Sequence, residues 1–293
     1  MSAGAATTGS PAGVNGVEDI PFAADLAEIR KLANSLSGPK PVAVNGIKVA
    51  ASIRPQKFVF AGGSDAPVEM PRTAFQVVWP DHTVMLDSGL DRETHDSFST
   101  PDKREPYFPD EFAKLQKALD AARMIVLTHF HADHVAGVTQ APNADALAAK
   151  TVASRHTLDL MTNAPHRPHL KLTPERAARF RAIDYDKYHA LAPGLVLIKA
   201  AGHSPDHQMV YIALQDGREI LHSVDAAWNF DNIRLVRGKA APWVKEDVPA
   251  VNGQLRWLNA ISANEKNVTI LVTHDGALLD RLRGEGSVGG LLL

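Results

Sequence analysis

The chain has 293 residues, 45% of them hydrophobic and 22% charged, with 31 Lys+Arg against 33 Asp+Glu and a formal net charge of -2. This composition excludes a disordered, collagen-like or coiled-coil protein, and the charge balance offers no basic excess for nucleic acid or an anionic membrane. Cysteine is absent, so disulfides, thiolate nucleophiles and Cys-ligated metals are excluded, while the redox compartment stays open.

Met1 to Gly16 is rich in Ala, Gly, Ser and Thr and lacks both a basic n-region and a continuous apolar h-region, so it does not read as an intact signal peptide. Residues 1–20 are expected to be a flexible tail, followed by a single catalytic domain at 21–293. The chain as given reads as cytoplasmic, or as periplasmic or secreted if its start is what remains of a processed precursor. No apolar stretch reaches 18 residues, so no membrane insertion is expected.

Residues 24–36 place Leu26, Ile29, Leu32, Ala33 and Leu36 on one helical face. Short β-rich runs follow at Ile47–Ser52, Lys57–Ala61, Phe75–Trp79 and Thr83–Leu86, separated by Pro, Gly and Asp. A helix is expected over 111–123, and Met124–Thr128 reads as a buried strand. Helices are expected at 155–162, 174–181, 250–263 and 276–283. Strands are expected at Leu195–Ala200, Met209–Leu214, Glu219–Val224 and Val268–Thr273. Strands cluster first and then alternate with helices, which predicts an α/β or α+β protein whose sheets are covered by helices.

The chemistry concentrates in Thr128-His129-Phe130-His131-Ala132-Asp133-His134, directly after the apolar run MIVL. In extended backbone His129 and His131 point the same way, and Asp133 and His134 fall where the chain turns into the next segment. Two imidazoles can hold one metal while the carboxylate and the last imidazole reach a second. Neutral imidazole and carboxylate suit Zn, Fe, Co or Mn. The same device recurs at other strand ends: His203 after LVLIKA, Asp225 after EILHSV and His274 after VTILVT. Sites in α/β proteins gather at such ends.

These residues resemble the metallo-β-lactamase-fold hydrolases, whose hallmark H-x-H-x-D-H is followed by a His, an Asp and a His at later strand ends. The resemblance covers roughly residues 45–285. It implies a four-layer αβ/βα sandwich with two divalent metal ions, zinc foremost, at one edge between the sheets. It assigns His129, His131 and His203 to the first ion, Asp133, His134 and His274 to the second, and Asp225 as the bridge. Asp87 and His207 would orient ligands from behind. A water shared by the two ions would be acidified to hydroxide near neutral pH and attack a carbonyl, with Asp133 and Asp225 as the catalytic carboxylates.

Within that superfamily the pattern selects further. Zinc β-lactamases generally lack the bridging Asp, which Asp225 supplies here. Flavodiiron enzymes replace the second His by Glu, whereas His131 is intact. Glyoxalase II-like thioesterases share the ligand set but usually add a helical domain after the last ligand, and residues 275–293 are too few for one. Gly202-His203-Ser204-Pro205-Asp206-His207-Gln208 resembles the G-H-[ST]-P-G-H-[QS] pattern of lactonases, with Asp206 in place of Gly. Homoserine-lactone hydrolases often place a Tyr just beyond the bridging Asp, where this chain reads Ala226-Ala227-Trp228-Asn229-Phe230. The resemblance therefore implies hydrolysis of a small lactone or ester. Thioesterase and β-lactam hydrolysis are alternatives, as is a mononuclear-iron oxidoreductase or a non-enzymatic binding protein on the same fold.

The partner is expected to be a small molecule, and homodimerisation is left open. The candidate pocket wall is Phe58, Phe60, Leu160, Met161, Trp228 and Phe230, with residues 226–249 as a lid carrying Asn232, Arg234 and Arg237 at its edge. His166 and His169 are expected to be non-ligands.

Overall fold

The structure is a computed structural model and describes residues 19–293. Most of the expected tail lies outside the described residues, but its last two positions are docked. The Ile20 amide donates to the Pro249 carbonyl at 3.1 Å, and Asp19 accepts from Arg256 Nε and Asn252 Nδ2. Gly253 permits that approach, since a Cβ there would lie 1.8 Å from the Ile20 carbonyl oxygen.

Among the described residues, eleven strands form two sheets. The first contains β1 (Ala43–Pro55), β2 (Pro67–Val78), β3 (Thr83–Leu86), β4 (Met124–Val126), β5 (Thr151–Ser154) and β6 (Arg181–Ile183), paired in that order. β1, β2 and β3 are antiparallel, and β3 through β6 run parallel. The second contains β7 (Tyr188–Ala192), β8 (Leu195–Lys199), β9 (Gln208–Ala213), β10 (Glu219–His222) and β11 (Val268–Leu271). Only β10 and β11 in this sheet are parallel to each other.

The layers follow from strand periodicity. Phe75 and Val77 of β2, Val84 and Leu86 of β3, and Met124 and Val126 of β4 join Leu197, Val210 and Leu221 in the core between the sheets. Their alternates Ala74, Met85 and Ile125 face the other way, onto Leu115 and Leu119 of the 109–121 helix and Val135 and Val138 of the 132–139 helix. Side chains alternate along a strand, so one sheet serves two cores. Helices 26–33 and 248–264 add Ile29, Leu255 and Leu258 to the second sheet. The result is the expected mixed α/β fold of two sheets between helical layers.

Some expected elements differ. Residues 57–61 are not a strand: Gln56–Val59 is one helical turn at the tip of the β1–β2 hairpin, closed by the Phe60 amide donating to the Gln56 carbonyl at 3.1 Å. The aromatic alternation there reflects packing, with Phe60 against Trp228 and Phe58 edge-on to Trp243 at 5.2 Å. The expected 174–181 helix ends at Ala177, and Arg181 already belongs to β6.

Candidate metal centre

β4 ends at Val126, and Leu127–His131 continues as irregular chain into the helix Ala132–Thr139. His131 takes the extended conformation that precedes this helix (φ -65°, ψ 148°), and Asp133 lies in its first turn, where helix polarity favours a carboxylate. His129, His131, Asp133 and His134 thus leave one strand end together. His203 sits on the turn between β8 and β9, Asp225 on the short 3-10 turn after β10, and His274 just beyond β11.

These four segments converge. His129, His131, His203 and Asp225 each offer a ligand atom, all within 4.8 Å of one another, and Asp133, His134 and His274 form a second such group. Asp225 joins the two. Its Oδ2 lies 3.4 Å from His203 Nε2 and 3.0 Å from His274 Nε2, and its Oδ1 lies 3.5 Å from His134 Nε2.

The outward edges of the rings have partners of their own. His134 Nδ1 meets Asp87 Oδ2 at 2.8 Å, His274 Nδ1 meets the Pro71 carbonyl at 2.7 Å, and His203 Nδ1 meets Glu246 Oε2 at 3.2 Å. This is the arrangement that fixes ring orientation and turns the other nitrogen toward the cluster. Inside the cluster, His129 Nε2, His134 Nε2 and Asp225 Oδ1 are buried with no hydrogen-bond partner. Buried polar atoms are rarely orphaned, and a donor set of imidazole and carboxylate fits a divalent cation at these atoms.

Charge follows the same geometry. Burial, with the neighbouring His134 and His131, holds the His129 imidazole well below its usual range, so it is neutral. Burial also lowers His131, and His203 and His166 add to it. Burial opposes the charge on His134, but Asp87, Asp225 and Asp133 outweigh it and raise that ring well above its usual range. Against burial, His274 and His134 keep Asp225 ionised, and Arg72 does so for Asp133.

Asp87 holds more than His134. It accepts from the Thr128 amide at 2.8 Å and from Thr128 Oγ1 at 2.9 Å, from a left-handed backbone (φ 61°). His207 Nε2 accepts the Asp225 amide proton at 3.1 Å, while its Nδ1 faces the Ala200 carbonyl. Val224, next to Asp225, is a β-branched residue at φ 49°, a strain on the order of 1–3 kcal/mol that the surrounding structure must hold. Asp206 turns inward to accept from Ser204 Oγ at 2.7 Å, and burial raises its pKa.

A cavity of about 640 Å³ opens over the cluster, lined by His131, Asp133, His203, Asp225 and His274 together with Met70, Phe98, Phe130, Trp228, Trp243 and Val244. Of the expected wall, only Trp228 lines it. Phe60 packs behind Trp228. Met161 is buried in the outer core under the first sheet, Leu160 shares its helix, and Phe230 packs on the inter-sheet core. Apolar periodicity marks a buried residue without saying which cavity it faces. The expected lid edge is also reassigned. Arg234 pairs with Asp231, Arg237 donates to the Ala61 carbonyl, and Asn232 is buried as part of a capping box. His166 and His169 make no joint site: His166 Nδ1 accepts from the Ala132 amide, and His169 meets Thr94 Oγ1.

Two residues escaped the sequence reading. Lys239 has a fully buried side chain whose Nζ donates to the carbonyls of Asp225 (2.8 Å) and Ala226 (3.1 Å) and lies 2.9 Å from Glu246. Glu246 in turn backs His203. Both sit in irregular chain, and the only signal was a lone Lys and a lone Glu in a Pro/Gly-containing stretch.

Comparison with known proteins agrees with this architecture. The family model described as the metallo-beta-lactamase superfamily matches residues 71–274. The N-acyl homoserine lactonase AiiA of Bacillus thuringiensis subsp. kurstaki is 25% identical over 175 residues, which is 59% of this chain and 60% of that protein. The chain thus matches less than two thirds of that relative's length. A structure of an N-acyl homoserine lactone hydrolase with N-hexanoyl-L-homoserine at its catalytic metal center superposes with a TM-score of 0.62 at 16% identity, covering 86% of this chain and 98% of the other. A probable metal-dependent hydrolase from Staphylococcus aureus superposes at 0.63 and 13% identity, covering 82% and 91%. With the family model spanning well over half of the sequence, the chain belongs to the metallo-beta-lactamase superfamily.

Proposed function

We propose that residues 21–293 act as one catalytic unit, a dinuclear metal-dependent hydrolase of a small lactone or ester. The carrying observation is the inward-facing set of seven side chains, three of whose buried atoms lack any partner. His129, His131 and His203 would hold one divalent cation, Asp133, His134 and His274 the other, and Asp225 both. Such a pair supplies an acidified water near neutral pH and a Lewis acid for a carbonyl oxygen.

The chain's own groups do the rest. Asp87, Glu246 and the Pro71 carbonyl fix three imidazoles in orientation. Asp133 receives a hydrogen bond from Arg72 Nη1 at 2.7 Å and stays ionised, so its part is to hold charge and accept hydrogen bonds. Trp228, edge-on to His274 with ring centres 6.4 Å apart, walls the cavity where lactonases often carry a Tyr and offers no phenolic proton. A cavity of this size fits a small molecule. The lactonase names of the relatives and the Gly202–Gln208 motif favour lactones and esters over β-lactams. The complete donor set favours two ions over the single iron of an oxidoreductase.

The test is a panel of γ- and δ-lactones and aryl esters assayed on zinc-loaded, stripped and reloaded protein. Turnover that vanishes on stripping, returns on reloading, and is lost in His131→Ala and Asp225→Ala supports the proposal. Turnover that survives stripping would overturn it. One iron per chain with no ester turnover would favour the oxidoreductase.

A further inference from the structure

The cavity carries four cationic side chains beyond the seven donors: Arg54, Arg72, Arg167 and Lys245. The carboxylates lining it are Asp133 and Asp225, both in the donor set. Arg54 is neutralised by Glu105. The other three are not fully used.

Arg72, on β2, donates from Nη1 to Asp133 and from Nη2 to Ser52 Oγ at 3.1 Å, while its Nε is buried without a partner. Among the described residues Arg167 donates only to neutral oxygens, Ser97 Oγ at 3.2 Å and the His166 carbonyl at 3.0 Å. Both guanidinium groups lie against one ring, with Arg72 at 5.0 Å and Arg167 at 4.1 Å from the centre of Phe98. Burial lowers the pKa of Arg167; the Asp133 charge opposes that shift and the nearby Arg72 charge adds to it. Lys245 stands exposed at the mouth.

Two guanidiniums of like charge, partly desolvated on one aromatic ring, oppose each other and share the Asp133 carboxylate as their counter-charge. An apolar acyl chain gains nothing from them, since Met70, Phe130, Trp243 and Val244 already wall the rest of the cavity. A planar fork of N–H donors matches an oxyanion, and charge-assisted hydrogen bonds in such a place are strong.

We propose that the substrate carries, besides the bond that is cleaved, an oxyanion group of the carboxylate or phosphoryl type that seats on Arg167 and Arg72, with Lys245 at the entrance. The class is therefore lactones or esters of dicarboxylic or phosphorylated acids, not neutral acyl lactones. The placement of the cleaved bond rests on the hydrolase reading above; the oxyanion seat rests on the cavity's own charge.

The test is calorimetric binding to the zinc-loaded protein. Glutarate is compared with glutaramate, in which an amide replaces one carboxylate, and with 4-phosphonobutyrate. Tighter binding of glutarate or of the phosphonate than of glutaramate, by about 10- to 100-fold, supports the seat. Whichever of the two binds more tightly identifies a carboxylate or a phosphoryl group as the natural one. The ratio should fall to about one to three in Arg167→Gln. It should fall a few-fold in Lys245→Gln, an exposed position whose replacement leaves the fold intact. Equal binding of glutarate and glutaramate, or ratios unmoved in both variants, would overturn the proposal. Hydrolysis of neutral esters without this preference leaves the hydrolase standing and removes the seat. The preference without any hydrolysis does the reverse.

Discussion

Lys239 and Glu246 form a buried ion pair, Nζ to Oε2 2.9 Å, directly behind the candidate metal centre. The lysine clasps the carbonyls of Asp225 and Ala226, and the glutamate faces His203 Nδ1. Burial works against the Glu246 charge, but Lys239 and His203 outweigh it and bring its pKa down to about 2. One pair therefore fixes two of the four converging segments.

Glu246→Gln keeps the shape and removes the charge. It leaves Lys239 buried without its counter-ion, a loss of about 3–5 kcal/mol in comparable cases. It also replaces the charged acceptor facing His203 Nδ1 by a neutral amide oxygen, for which up to about 10-fold weaker metal binding is expected. Urea denaturation and a zinc competition titration read the two effects separately. A variant matching the parent in both would show that the pair is incidental.

Asp87→Asn tests the opposite side of the cluster. Asparagine tolerates the left-handed backbone at this position, so the turn should persist. The amide cannot accept from Thr128 and His134 together as the carboxylate does. Zinc affinity should fall by about 10- to 100-fold, and the His134 ring should lose the charge partner that holds its pKa up. Imidazole signals followed by NMR against pH would show that drop, and an unmoved His134 titration would contradict the assigned contact.

Gly137 ties the helix that carries Asp133 and His134 to the Asp87 loop. A Cβ there would lie 1.8 Å from the Ser88 carbonyl oxygen, in a contact where the Gly137 amide donates to Gly89 and Ser88 Oγ donates to the His134 carbonyl. Backbone cannot yield as a side chain can, so Gly137→Ala should cost at least about 3 kcal/mol. Gly284→Ala, where nothing lies within 4 Å, should be neutral or slightly stabilising. Paired thermal melts decide this, and equal melting points would refute the packing.

The convergence of the seven candidate donors was legible because they follow apolar runs, and such runs in β4, β8, β10 and β11 bring their ends to one edge. The pocket was not legible in the same way. Phe58 and Phe60 alternate as a strand would, yet they belong to a helical turn packed on tryptophans. Arg72 lies inside a strand, and Arg167, Lys239 and Glu246 lie in irregular chain. No period announces their positions, and their partners are remote in sequence. Short strands such as β5 and β6 escaped because three or four residues carry too little pattern.

His222 supplies a test in pH. It is fully buried in β10 with its ring edge-on to Phe75 at 4.8 Å. Burial, only partly offset by the Leu271 carbonyl and the Asp87 and Asp225 charges, lowers its pKa from 6.5 to about 4. Between those values the unfolded chain binds a proton that the folded chain refuses. The contribution is therefore fully present above pH 6.5 and is lost as pH falls toward 4, up to about 3 kcal/mol. His222→Gln removes this proton. Whatever packing it loses, its stability should fall less steeply than the parent's between pH 6.5 and 4. The comparison uses metal-stripped protein throughout, so that ion release does not enter. Other buried imidazoles lowered in the same way, His129 and His131 among them, steepen both curves equally and cancel in the difference. Parallel curves for parent and variant would mean that His222 gains its proton as readily in the fold as outside it, and the burial argument would fail.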